Sequence, residues 1–149
     1  MLHATIASAK SPFINAACNS RTKEAKEKVI RLPEVRPKTF ESYIQWLYND
    51  TVHIVVPDPS KDQEVNRSAA LQAEYAKLYT LPSMLLDAGL QNQVVDNIKD
   101  TMLLHKTGPT NAVIKQIYEH GPAERTLQRY TIDWYASQCG EMGDFLQKH

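Results

Sequence analysis

Cysteine is scarce in this chain, and Cys18 and Cys139 stand far apart within its 149 residues. That excludes a disulfide framework and any closely spaced cysteine pair for metal or redox work. Both lie among apolar neighbours, so both are expected to serve as small buried hydrophobes in a reducing compartment. Glycine is nearly as sparse, with five scattered residues, which leaves no Gly-rich loop to cradle a phosphate. Charge of one sign is missing too. Lys plus Arg and Asp plus Glu number 17 each, so no overall field draws the chain toward nucleic acid or anionic lipid. No apolar run approaches the ~18 residues of a membrane span, and a secretory leader's charged start and apolar run are absent. The glycosylation-type triplets at Asn49 and Asn66 are therefore read as chance matches. What survives these exclusions is a globular chain of one domain's size, expected in the cytoplasm or nucleus and away from membranes.

The residues of catalysis are present but not assembled. The five histidines, His3, His53, His105, His120 and His149, include no pair at helical ligand spacing, so no metal site is expected. Cys18 sits in an apolar helix, a poor setting for a nucleophile, and neither cysteine has a histidine base nearby in sequence. Glu24 and Glu27 are neighbours on a charged surface and not a shielded acid–base pair. No catalytic residue, cofactor or small-molecule substrate is expected.

What the chain does contain is periodic apolar pattern. Ala4, Ile6, Ala7 and Ala9 favour a short helix. Ser11 and Pro12 are suited to cap and open a second, which Phe13, Ile14, Ala16, Ala17 and Cys18 make apolar on most sides and hence deeply buried. Arg21 to Lys28 is charged and reads as a solvated loop or frayed helix. Val29 to Leu32 is a short β-type run stopped by Pro33. From Pro37 the spacing changes: Phe40, Tyr43, Ile44 and Leu47 fall at i, i+3, i+4 and i+7, with Trp46 and Tyr48 widening the stripe. This helix should end near Asn49 and Asp50. Thr51 to Val56 is rich in β-branched residues and reads as a strand, followed by a polar, exposed loop over 57–67. Further helices are expected over Ala69–Leu81, with Pro82 opening another turn or interrupting the run, and over Leu90–Leu104. Two more follow: Asn111–His120, capped by Thr110, and Ala123–Gln138, with Leu127, Tyr130, Thr131, Trp134 and Tyr135 inward. Gly140 and Gly143 should end the order.

The fold class is thus α+β and predominantly helical, with two short strands at about 28–32 and 51–56. Two strands do not make a stable sheet alone, so partners are expected upstream or in another chain. Tyr43, Trp46 and Tyr48 could form a stacking platform, but their helical spacing favours core packing.

Several segments in order resemble the BTB/POZ family. His3-Ala4-Thr5-Ile6-Ala7-Ser8-Ala9-Lys10-Ser11-Pro12-Phe13 is similar to its His-Lys-(hydrophobic)-Ser-(aromatic) stretch. Ile30-Arg31-Leu32-Pro33-Glu34 follows at the family's spacing. Phe40-Glu41-Ser42-Tyr43-Ile44-Gln45-Trp46-Leu47-Tyr48 resembles a helix of members abundant in filamentous fungi. The resemblance implies a BTB/POZ-like domain over 1–104 and a helical extension over 105–149 packed on it. It also implies a β-hairpin before His3, where this sequence has Met1 and Leu2, so the domain is expected to be N-terminally incomplete and prone to associate. Ala4 replaces the usual Lys, and the acidic and basic residues of the corepressor-type pocket are absent.

Function follows from the resemblance as expectation: a protein–protein interaction module, homodimerising through its first helices or serving as scaffold or adaptor. Ile6, Phe13, Ile14, Trp46 and Tyr48 are the expected interface residues. One alternative is a substrate adaptor of a cullin-type ubiquitin ligase, docking through Phe40–Thr51 and Leu71–Leu81. Another is weak nucleic-acid binding through the basic segment 21–31.

Overall fold

The computed structural model describes residues 4–21, 23–27, 29–56, 64–85, 87–119 and 126–147; among them lie eight helices and no strand. They are α1 (Ala4–Lys10), α2 (Pro12–Asn19), α3 (Lys23–Glu27), α4 (Pro37–Asn49), α5 (Glu64–Leu85), α6 (Ala88–His105), α7 (Asn111–Glu119) and α8 (Thr126–Gln147). His3, His120 and His149, and the expected loop up to Gln63, lie outside the described residues.

Ser11 makes the corner between α1 and α2. Its Oγ accepts from the Ile14 N–H at 3.1 Å and donates to the Leu85 carbonyl, so one buried hydroxyl caps α2 and ties it to the end of α5. Pro12 opens α2, where a missing N–H costs nothing. The deep burial expected of α2 is not found. Only Ile14 is buried, while Phe13 and Ala16 are exposed and Ala17 and Cys18 are half-buried. The helix contacts α1, α3 and α5, and Phe13 and Ala16 are left exposed.

The amphipathic run from Pro37 forms α4 as its spacing predicts, burying Tyr43, Trp46 and Leu47. It stops at Asp50, whose left-handed backbone (φ 56°) lets its N–H bond the Trp46 carbonyl at 3.0 Å. The core is built mainly where α5 packs along α6. Leu78, Tyr79, Leu81 and Leu85 meet Leu90, Val94, Val95, Ile98 and Met102, and Val113, Ile117 and Leu127 extend the cluster. Leu103 is 71% exposed; at one residue past Met102 it has turned about 100° away.

Three helix boundaries lie more than two residues beyond expectation. α5 begins at Glu64, inside the expected loop, and runs through Pro82 to Leu85. Proline has no N–H to give the preceding turn, but a helix packed along α6 is held by burial more than by one backbone bond. α8 likewise continues through Gly140 and Gly143 to Gln147, because a helical glycine costs only about 1 kcal/mol. Cys139 on this helix is exposed, correcting its expected burial, and Cys18 packs half-buried against the core.

Neither expected strand is present among the described residues. Around 28–32, Ile30 and Leu32 pack partly into the core while Val29 stays outside, and a turn bond from Val35 N–H to the Leu32 carbonyl (3.1 Å) bends the chain away. Over 51–56 the chain lacks helical structure but keeps a strand's alternation: Val52 and Val56 are buried, Ile54 is half-buried, and Thr51, His53 and Val55 are exposed. The period was readable; a ladder also needs a second edge, which a period does not supply.

Candidate protein-interaction surface

Trp46 is fixed on every side. Its indole N–H donates to Asp87 Oδ2 at 3.0 Å, and Asp87 Oδ1 accepts from the Leu90 N–H at 3.0 Å, capping α6. Gly89 lies against the ring so closely that an added Cβ would sit 3.0 Å from it. From α1, Lys10 places its ammonium 4.5 Å from the ring centroid, donates to the Trp46 carbonyl at 3.0 Å, and pairs with Asp50. Beside this cluster the Tyr43 hydroxyl is buried near Ser11 and Asp87, yet has no hydrogen bond of good geometry among the described residues. Burial, reinforced by the Asp87 charge, pushes it up to about 12.

The expected interface residues therefore divide. Ile14 and Trp46 are buried in the core, Ile6 is half-buried on α1, and Phe13 and Tyr48 are exposed. Sequence reasoning missed Lys10 and Asp87. Asp87 three residues before Leu90, at the start of an apolar-periodic run, was a legible N-cap signal. Nothing local in the sequence pairs Lys10 with α4.

Two grooves flank the first half of α4. The larger, about 530 Å³, runs between Arg36 and Thr39 on one side and Lys77, Leu81 and Met84 of α5 on the other. The smaller, about 100 Å³, lies among Gln45, His53 and Glu74. A hydrogen bond from Lys77 at 2.7 Å, helped by the charges of Lys77, Lys38 and Arg36, holds the Glu74 carboxyl below its ordinary range. The rim is thus mixed in sign, suited to a polar protein surface more than to a polyanion.

A second buried polar cluster joins the C-terminal helices to α5. Gln72 is fully buried. Its Nε2 donates to Ser68 Oγ (3.2 Å) and the Gly108 carbonyl (3.1 Å), and its Oε1 accepts from the Thr110 N–H at 2.9 Å. Thr110 then caps α7 through Val113, at 3.4 Å. Over the same loop lies the Trp134 ring, which an added Cβ on Gly108 would meet at 2.3 Å. Lys99 of α6 sits 4.9 Å from the centre of the Tyr130 ring of α8.

Among the described residues no group of three or more His, Cys, Asp or Glu is placed to hold a metal, and no helix is long and apolar enough to cross a membrane. In the basic segment, Lys23 and Glu27 stand 3.6 Å apart. Above these polar clusters, which lock helices together, the surface exposes the large apolar side chains Phe13, Tyr48 and Val55. The BTB/POZ domain family model matches residues 1–86, a stretch holding α1 to α5, and the chain belongs to that family. BTB/POZ domains are protein–protein interaction and dimerisation modules. No curated protein and no solved structure matches the chain.

Proposed function

We propose that the chain is a homodimerising scaffold whose contact surface is the outer face of α1 and α2, within a BTB/POZ-like unit over 1–104 that carries 105–149 as a packed extension. One observation carries this: α2 is apolar on most sides, but only Ile14 is buried, and Phe13 is left 37% exposed. Ile6 on α1 and Phe13 on α2 are the side chains a partner would cover, with Ile14 seating α2 from beneath. Phe13 is 37% exposed, so covering what remains contributes about a third of the ~1.5–3 kcal/mol of a whole Phe side chain, up to about 1 kcal/mol. Association itself costs about 4–15 kcal/mol, so the contact has to extend along both helices. Sedimentation equilibrium on Phe13→Glu tests it. The unsubstituted chain is expected to be dimeric and the variant monomeric; a variant that associates unchanged removes this surface from consideration.

The second reading, an adaptor for a cullin-type ubiquitin-ligase scaffold, is favoured by the mixed-sign grooves beside α4 and the exposure of Tyr48. Calorimetric titration with a cullin N-terminal domain separates it from simple scaffolding. Weak nucleic-acid binding through 21–31 ranks third, because Glu27 lies beside Lys23 within that segment. The proposed setting is the cytoplasm or nucleus.

A further inference from the structure

The extended segment 51–56 carries a second contact. Its inner face is pinned by the side chains of Val52, Ile54 and Val56. In an extended chain the N–H and C=O of one residue point to the same lateral side, and successive residues alternate. On one side, the Val52 carbonyl accepts from Asn97 Nδ2 of α6 at 3.1 Å, and the Ile54 backbone lies near the Tyr75 hydroxyl of α5. That side is closed by side chains. Among the described residues, the N–H and C=O of Thr51, His53 and Val55 on the other side have no backbone partner. All three residues are exposed, Val55 to 83%. This is a strand edge with the spacing of a ladder and no ladder.

We propose that this edge pairs antiparallel with the same edge of a second copy, about a two-fold axis at His53. Two features select a second copy over an unrelated strand. Thr51-Val52-His53-Ile54-Val55-Val56 carries no Asp, Glu, Lys, Arg or Pro, so it lacks the charges and prolines that blunt edges against self-pairing. An antiparallel pair centred on one residue is also two-fold symmetric, so the same edge completes itself and closes the contact. In that register His53 faces the partner copy's His53, and Thr51 faces the partner copy's Val55. Each of these pairs exchanges two N–H···O bonds. Six residues per copy fall short of the about 800 Å² per partner of a stable interface, so the contact is weak and reversible. It does not rest on the α1–α2 surface, so in Phe13→Glu it would survive only as weak association at high protein concentration, above the range in which that variant sediments as a monomer.

Register-specific cross-linking of the full chain tests it, with Cys18→Ala and Cys139→Ser removing the native thiols. With the axis at His53, a cysteine there lies about 5.5 Å Cα to Cα from its copy, within the about 4.4–6.8 Å of a disulfide. A cysteine at Val55 lies about 14 Å from its copy, at ~3.4 Å per residue. Under oxidised dithiothreitol at high protein concentration, His53→Cys should give mainly disulfide dimer, and Val55→Cys should stay at least tenfold lower. Adding Val55→Pro to His53→Cys, which removes the N–H that donates to the partner copy's Thr51 carbonyl, should abolish the dimer. Equal cross-linking at both positions, none at His53→Cys, or a dimer that persists with Val55→Pro would each overturn the proposal.

Discussion

At the scale of single residues, two buried groups beside Trp46 make opposite contributions. Asp87 does two jobs, accepting from the Trp46 indole and capping α6. Asp87→Ala should remove a cap, about 1 kcal/mol, and orphan a buried N–H, about 1–3 kcal/mol. A loss of about 2–4 kcal/mol in urea denaturation is expected, and a loss under 1 would mean water replaces the carboxylate. Tyr43 is the reverse case, its hydroxyl buried without a good partner. Tyr43→Phe should leave stability unchanged or raised below pH 9 or so, since desolvating an unpaired hydroxyl is costly. The alkaline limb gives the sign. Unfolded tyrosine ionises near pH 10, whereas folded Tyr43 holds its proton up to about 12. Between these values the unfolded state binds fewer protons, so stability falls as pH rises. Melts across that window should show a slope that Tyr43→Phe reduces; Tyr75, also raised by burial, leaves a remainder. The apolar members of this cluster were legible in the sequence from their spacing. The pairing of Trp46 with Asp87 was not, because 41 residues separate them and no period spans that distance.

At the scale of elements, helices with a clear stripe and a clear stop were readable, and those without were not. α4 has both, a run at 3.6-residue spacing and a left-handed stop at Asp50. α5 and α8 overran their expected ends because Pro82 and two glycines are local breakers that tertiary packing outweighs. The extended segment at 51–56 was identified by its β-branched residues, yet its missing ladder depends on a partner that propensity does not encode. One junction between elements is open to a direct test. Gly108 admits the Trp134 ring where a Cβ would stand 2.3 Å from it. Gly108→Ala should therefore lose about 1–3 kcal/mol by overpacking. In a Trp134→Ala background the same change should cost much less, so a double-mutant cycle should show coupling of about 1 kcal/mol or more. Additive effects would separate α8 from the α6–α7 loop.

At the scale of the whole molecule, equal numbers of acidic and basic residues leave little net repulsion between copies. Self-association through the apolar α1–α2 face should accordingly change little between low and high salt in sedimentation runs. A steep loss with salt would favour charged contacts and weaken the α1–α2 reading. The family was legible because its blocks fall in order along α1 to α5. The fastening of the C-terminal helices was not, since Gln72, Gly108 and Trp134 each look unremarkable in isolation and acquire meaning only when brought together.

That fastening has a spectroscopic corollary. The chain holds two tryptophans, one under the Lys10 ammonium in the family-matched part and one lying on Gly108 beyond it. Each indole's emission therefore carries a separate optical address. Single-tryptophan versions of the chain would report, colour shift by colour shift, whether the two halves come apart in one transition or in sequence.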